Sequence, residues 1–107
     1  MTQDELVSAY WRHYGLSNSD ERSDRLAADD QFWAWEQVDR AARAGEPGIV
    51  DLLVSLSEAA PDDAAREYLG AGPVEDLVRL HTGDLGAEIE KAARQSQGFA
   101  TALHSIR

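Results

Sequence analysis

Apolar positions recur along this chain at helical spacing, and no segment alternates strictly in the way of a half-buried strand. The first helix is expected over about Asp4 to Tyr14, with Leu6, Val7, Tyr10, Trp11 and Tyr14 covering a broad face and Gly15 as its stop. A polar connector, "LSNSDERSD", follows, in which a second helix can start; the main helix is expected over about Asp30 to Ala44. There Trp35, Val38, Ala41 and Ala42 share a face, and Trp33 points away from it. The third, about Pro47 to Ala60, has the stripe Ile49, Leu52, Leu53 and Leu56, with Asp51 and Glu58 opposite. Pro61 breaks it, and a fourth from about Asp62 to Leu69 should bury Ala65, Tyr68 and Leu69. A fifth is expected from Pro73 to about His81, and "TGD" then separates it from a sixth, Leu85 to Gln95. Leu85, Ile89, Ala92 and Ala93 face inward there, and a last short helix after Gly98 places Phe99, Ala102, Leu103 and Ile106 inward.

The joint "GAGPVEDL", Gly70 to Leu77, is explained residue by residue as a helix end followed by a helix start. Gly70 suits a left-handed stop, Pro73 has φ preset for a first turn, and Glu75 and Asp76 favour the positive end of the helix dipole. The same two acids project off the Val74–Leu77–Val78 stripe and are expected to be exposed, available to a partner. A weak repeat at an offset of 25 sets "IVDLLVSL" over the segment from Val74 to His81, so that Asp51-Leu52 matches Asp76-Leu77. Two stacked helical hairpins would give that pattern; so would chance.

These motifs carry a resemblance. Trp33 and Trp35 as W-x-W, Ala71 to Val78 as A-G-P-[LV]-E-D-L-[LV], and Arg94, Phe99, Ala102 and Leu103 as R-x-x-x-x-F-x-x-A-L resemble an uncharacterised family of small bacterial helical domains, over roughly residues 30–106. The resemblance implies an all-helical fold and brings no activity, cofactor or substrate.

At 107 residues and 43% hydrophobic, the chain is expected to be one domain with a core. All-α architecture follows: five to seven short helices packed as antiparallel hairpins, with a short α-solenoid as a variant. No apolar run is long enough to span a membrane, and the acidic N-terminal "MTQDELVSAYW" does not read as a signal peptide. With no cysteine, this points to the cytoplasm.

The net charge of -10 disfavours nucleic acid and anionic membranes as partners. It fits a basic protein partner, or solubility alone. Residues 46–90 hold eleven acids against two bases, and residues 91–107 three bases and no acid.

No catalytic constellation is legible, and neither a metal site nor a cofactor is expected. His13, His81 and His104 lack metal-ligand spacing, and there is no cysteine, phosphate loop or nucleophile motif. His81 lies on an apolar stripe; it reads as a half-buried packing residue, with a catalytic base as the alternative. Trp33 either packs on the first helix or serves as an exposed interface anchor.

The reading is therefore a non-enzymatic acidic protein-binding module, resembling in charge and size the immunity proteins that neutralise bacterial toxins. Its expected working surface is Asp39, Glu46, Asp51, Glu58, Asp62, Asp63, Glu75 and Asp76, with Trp33 as apolar anchor. The alternatives are a phage-type inhibitor mimicking nucleic acid, a small ligand-binding or enzymatic domain, and a structural homodimer.

Overall fold

The computed structural model describes residues 2–106, and among them every regular element is helical. The helices are α1 (Gln3–Ser17), α2 (Arg22–Ala27), α3 (Phe32–Ala44), α4 (Ile49–Ala59), α5 (Asp63–Leu69), α6 (Glu75–Gln95) and α7 (Gln97–His104). A 3-10 turn, Ala28–Gln31, leads into α3, and a π turn, Gly70–Val74, leads into α6. By contacts the chain divides into two compact units, residues 1–38 and 39–107.

In the first unit α1 packs on the 3-10 turn and on α2. Leu6, Val7, Ala9, Tyr10 and Ala28 are buried. Thr2 caps α1, its hydroxyl accepting the Glu5 N–H at 3.2 Å. Gly15 is not the stop: α1 continues to Ser17 and Asn18 ends it, its side-chain amide donating to the Tyr14 carbonyl at 2.8 Å. A lone glycine costs a helix only about 1 kcal/mol, so the residue that satisfies a terminal carbonyl sets the end. Tyr10, Trp11 and Tyr14 form an edge-to-face series with centroids 5.1 and 5.3 Å apart.

In the second unit α7 lies against α4, α5, α6 and the π turn. Leu53, Leu56, Leu69, Val74, Leu77, Phe99 and Ala102 are fully excluded from water. The α4 stripe is as expected, widened by Val50 and Ser57. Gly45, at φ 63, ends α3, and the Glu46 N–H reaches back to the Ala41 carbonyl at 3.2 Å. Gly48, at φ 83, precedes α4, so Pro47 lies in the turn and not in the first helical turn. Asp62 caps α5 and Ser96 caps α7, their side chains accepting from Ala65 N at 2.8 Å and Phe99 N at 3.2 Å.

The joint exists, but its break is at Gly72, the only residue of the π turn with non-helical angles. Gly70 is right-handed at φ -61, contrary to the expected left-handed stop. Its lack of a side chain serves a different end: a Cβ there would strike the Ala102 carbonyl oxygen and lie 2.8 Å from Ser105 Cβ. Pro73 follows Gly72 directly, so its absent N–H falls where no helical acceptor is available.

"TGD" does not interrupt the chain either. α6 runs through it with a kink at His81 (φ -130, ψ 18), and the Thr82 hydroxyl bonds back to the Val78 carbonyl. Pro61 stops α4, and α6 meets no proline after His81, so the two copies of the weak repeat do not form matching hairpins. Tyr68, expected inside, is 38% exposed; Trp35, Leu85, Ala92 and Ala93 are only half-buried.

Candidate partner-binding surface

The expected acidic surface separates into acids engaged within the chain and acids facing only water. Asp39 and Asp76 meet at one arginine: Arg43 Nε lies 3.3 Å from Asp39 and 3.7 Å from Asp76. Asp76 and Glu75, expected exposed, are both half-buried, and Asp76 faces Arg43 from the end of α3. Asp62 is an N-cap. Asp63 holds Arg66 at 2.8 Å, and Arg66 Nε donates to the Ser57 carbonyl at 3.0 Å, tying the start of α5 to α4. Ser57 is itself buried, its hydroxyl donating to the Leu53 carbonyl at 2.7 Å.

Glu46, Asp51 and Glu58 are exposed, with no side-chain hydrogen bond or ion pair among the described residues. Asp51 lines a shallow groove with Glu88 and Lys91. Helical spacing allows the Arg43–Asp39 and Arg66–Asp63 pairs, at i,i+4 and i,i+3, but not the reach of Arg43 to Asp76 or of Arg66 to the Ser57 carbonyl, which cross between elements.

By structural unit the charge is shared. Residues 1–38 hold eight acids against three bases, and residues 39–107 hold twelve against seven. Each unit carries -5, so the smaller first unit is the more densely negative.

Trp33 belongs to that first unit and is 40% exposed. Phe32 beside it, 43% exposed, has its ring between His13 (centroids 5.8 Å) and Trp35 (5.5 Å, stacked at 17°). Phe32 and Leu26 were not among the sequence-derived candidates. The signal that could have found Leu26 is its seven-residue spacing from Trp33, hidden because α2 is only six residues long; Phe32 carries no such signal.

The histidines have distinct settings. His81 Nε2 donates to the Arg43 carbonyl at 2.8 Å, and its Nδ1 lies 3.8 Å from Asp84. His13 is held below the usual imidazole range, first by burial and against the opposing pull of Asp29. His104 lines a small pocket with Glu67, Ala71, Ser105 and Ile106, but the Ser105 hydroxyl donates to the Thr101 carbonyl at 2.9 Å, so no serine–histidine pair forms there. Among the described residues no three His, Asp or Glu side chains cluster to hold a metal. No helix among them is long and apolar enough to cross a membrane.

Residues 21–107 match the model of a family of unknown function, DUF6869. The chain belongs to that family. The match takes in α2 to α7 and leaves out α1. No curated protein and no solved structure matches the chain.

Proposed function

We propose that this member of the family is a non-enzymatic protein-binding module: a cytoplasmic immunity-type inhibitor that neutralises a basic partner such as a bacterial toxin. The observation that carries the reading is the set Glu46, Asp51 and Glu58, exposed carboxylates without a side-chain hydrogen bond or ion pair among the described residues. Unpaired surface charge adds little to fold stability and raises the rate at which an oppositely charged protein is captured. His81, the sequence's candidate for a catalytic base, has its Nε2 committed to a backbone carbonyl, which supports a binding role over a catalytic one.

The test is capture of the partner from the native host, followed by association kinetics with purified components at low and high salt. Reversing Glu46, Asp51 and Glu58 to lysine together should slow association by about tenfold or more at low salt, with the difference shrinking at high salt. Association indifferent to both the reversal and the salt would overturn the reading.

A further inference from the structure

Among the described residues, three of the five large hydrophobic side chains that stay exposed fall within eight residues: Leu26 at 60%, Phe32 at 43% and Trp33 at 40%. They belong to one nearly continuous helical run. The residues joining α2, the 3-10 turn and α3 keep right-handed angles, Ala28 at φ -58, ψ -29 and Phe32 at φ -59, ψ -30. Along such a run Leu26, the Asp29–Asp30 pair and Trp33 follow the i, i+3/i+4, i+7 spacing of one helix face, rotated by some tens of degrees through the tighter turn. Ala28, Ala34 and Val38 are buried, and Asp29 and Asp30 are exposed without a hydrogen bond or ion pair among the described residues. The outward stripe is thus apolar, acidic, apolar. Phe32 flanks it with its ring held between His13 and Trp35, so little freedom is lost when it is covered.

We infer that this stripe is the anchoring surface for a basic amphipathic helix, whose apolar face covers Leu26, Phe32 and Trp33 and whose lysine or arginine side chains meet Asp29 and Asp30. Charge selects the occupant. The unit that carries the stripe is at -5 over 38 residues, so a cationic segment is attracted, while a second copy of the same face or an anionic lipid surface is repelled. Isolated exposed apolar side chains are ordinary; a cluster alternating with exposed carboxylates has the mixed chemistry of a helix-binding face. This rests on the reading of the protein as a binder of basic partners, and assigns the apolar anchors to residues outside the Glu46, Asp51 and Glu58 set.

The probe is a synthetic amphipathic peptide of leucine and lysine about fourteen residues long, titrated into the full chain and followed by tryptophan emission and calorimetry. A matched leucine–glutamate peptide is the control. The lysine peptide should bind and the glutamate peptide should not. Leu26→Ser and Trp33→Ser, both surface changes, should each weaken binding about tenfold or more with the helical circular dichroism unchanged. Asp29→Lys with Asp30→Lys should do the same and remove most of the salt dependence. Lysine reversal of Glu46, Asp51 and Glu58 should leave peptide affinity within about threefold.

Binding that survives both serine variants but falls with the Glu46, Asp51 and Glu58 reversal would sink the stripe and leave the proposed function standing. No binding of the lysine peptide, or equal binding of both peptides, would sink the stripe; the partner kinetics under "Proposed function" then decide the broader reading separately. A dimer in sedimentation that Leu26→Ser converts to monomer would assign the face to self-association and overturn the inference.

Discussion

The imidazole of His81 and the carbonyl of Arg43, 38 residues apart, are joined by a 2.8 Å hydrogen bond. The carbonyl belongs to the last turn of α3, where intrahelical donors have run out, and Nε2–H supplies one from the kink of α6. Gly45 lies directly against the ring: a Cβ there would sit 2.7 Å from His81 Cε1 and Nδ1. An apolar stripe position is thus filled by a residue whose task is to bond a distant helix end.

His81→Leu should therefore cost about 1 kcal/mol, the net worth of one hydrogen bond. Gly45→Ala should cost about 1–3 kcal/mol, because its φ of 63 disfavours any Cβ and the ring leaves no room for one. Urea denaturation followed by circular dichroism measures both. A neutral or stabilised His81→Leu would mean that the bond contributes nothing.

Two helical glycines should respond with opposite signs. Gly83 lies within α6 with nothing within 4 Å of an added Cβ, so Gly83→Ala should stabilise by about 0.5–1 kcal/mol. Gly70 has equally helical angles, yet Gly70→Ala should destabilise by about 1–3 kcal/mol, because the Ala102 carbonyl occupies the space. Thermal melts of the pair decide it; the same sign for both would remove the close approach of α7 to the π turn.

The acids divide in the same kind of experiment. Asp62→Ala should lose about 1 kcal/mol with the α5 cap, whereas Asp62→Asn should retain most of it, since asparagine caps nearly as well. Glu58→Ala should stay within about 0.5 kcal/mol of the parent, as exposed positions without a partner do. Equal losses at Asp62→Ala and Glu58→Ala would refute the separation of capping acids from free ones.

The burial of His13 makes stability depend on pH. Burial lowers its folded-state pKa below the 6.5 of a free imidazole, so the unfolded chain takes up this proton first as pH falls. The penalty is absent above about pH 7.5 and grows as pH drops through the unfolded value toward the folded one. Between about pH 7.5 and 5.5 the parent should lose more stability than His13→Gln, measured by urea denaturation at each pH. A parent whose loss is equal or smaller would contradict the burial.

Much of the helical punctuation was legible in the sequence. The α4 stripe, the end of α3 at Ala44, the break at Pro61 and the start at Asp62 depend on interactions within about five residues, which local spacing encodes. The same rules placed stops at Gly15 and at "TGD", and the helices run through both. A glycine permits a helix end without imposing one. The end at Ser17 is set by the carbonyl that Asn18 satisfies, and the continuation of α6 is accompanied by the Thr82 back-bond.

The sequence by itself determined that the chain is helical, that Pro61 separates α4 from α5, and that acids exceed bases two to one. Tertiary structure decided what those residues are for. Gly70 is small because α7 crosses it, and His81 is polar because the end of α3 reaches it. Asp76 joins the local Asp39–Arg43 pair from another helix, Arg66 carries its neighbour Asp63 to the Ser57 carbonyl, and Glu46, Asp51 and Glu58 are left to solvent. Trp33 was visible as off the stripe, but its exposure beside Phe32, with Leu26 two turns earlier, required the 3-10 turn that carries α2 into α3. The physical reason is range: capping, periodicity and i,i+4 pairing act within one or two turns, whereas ion pairing between helices, close approach and exposure depend on what the rest of the chain brings alongside.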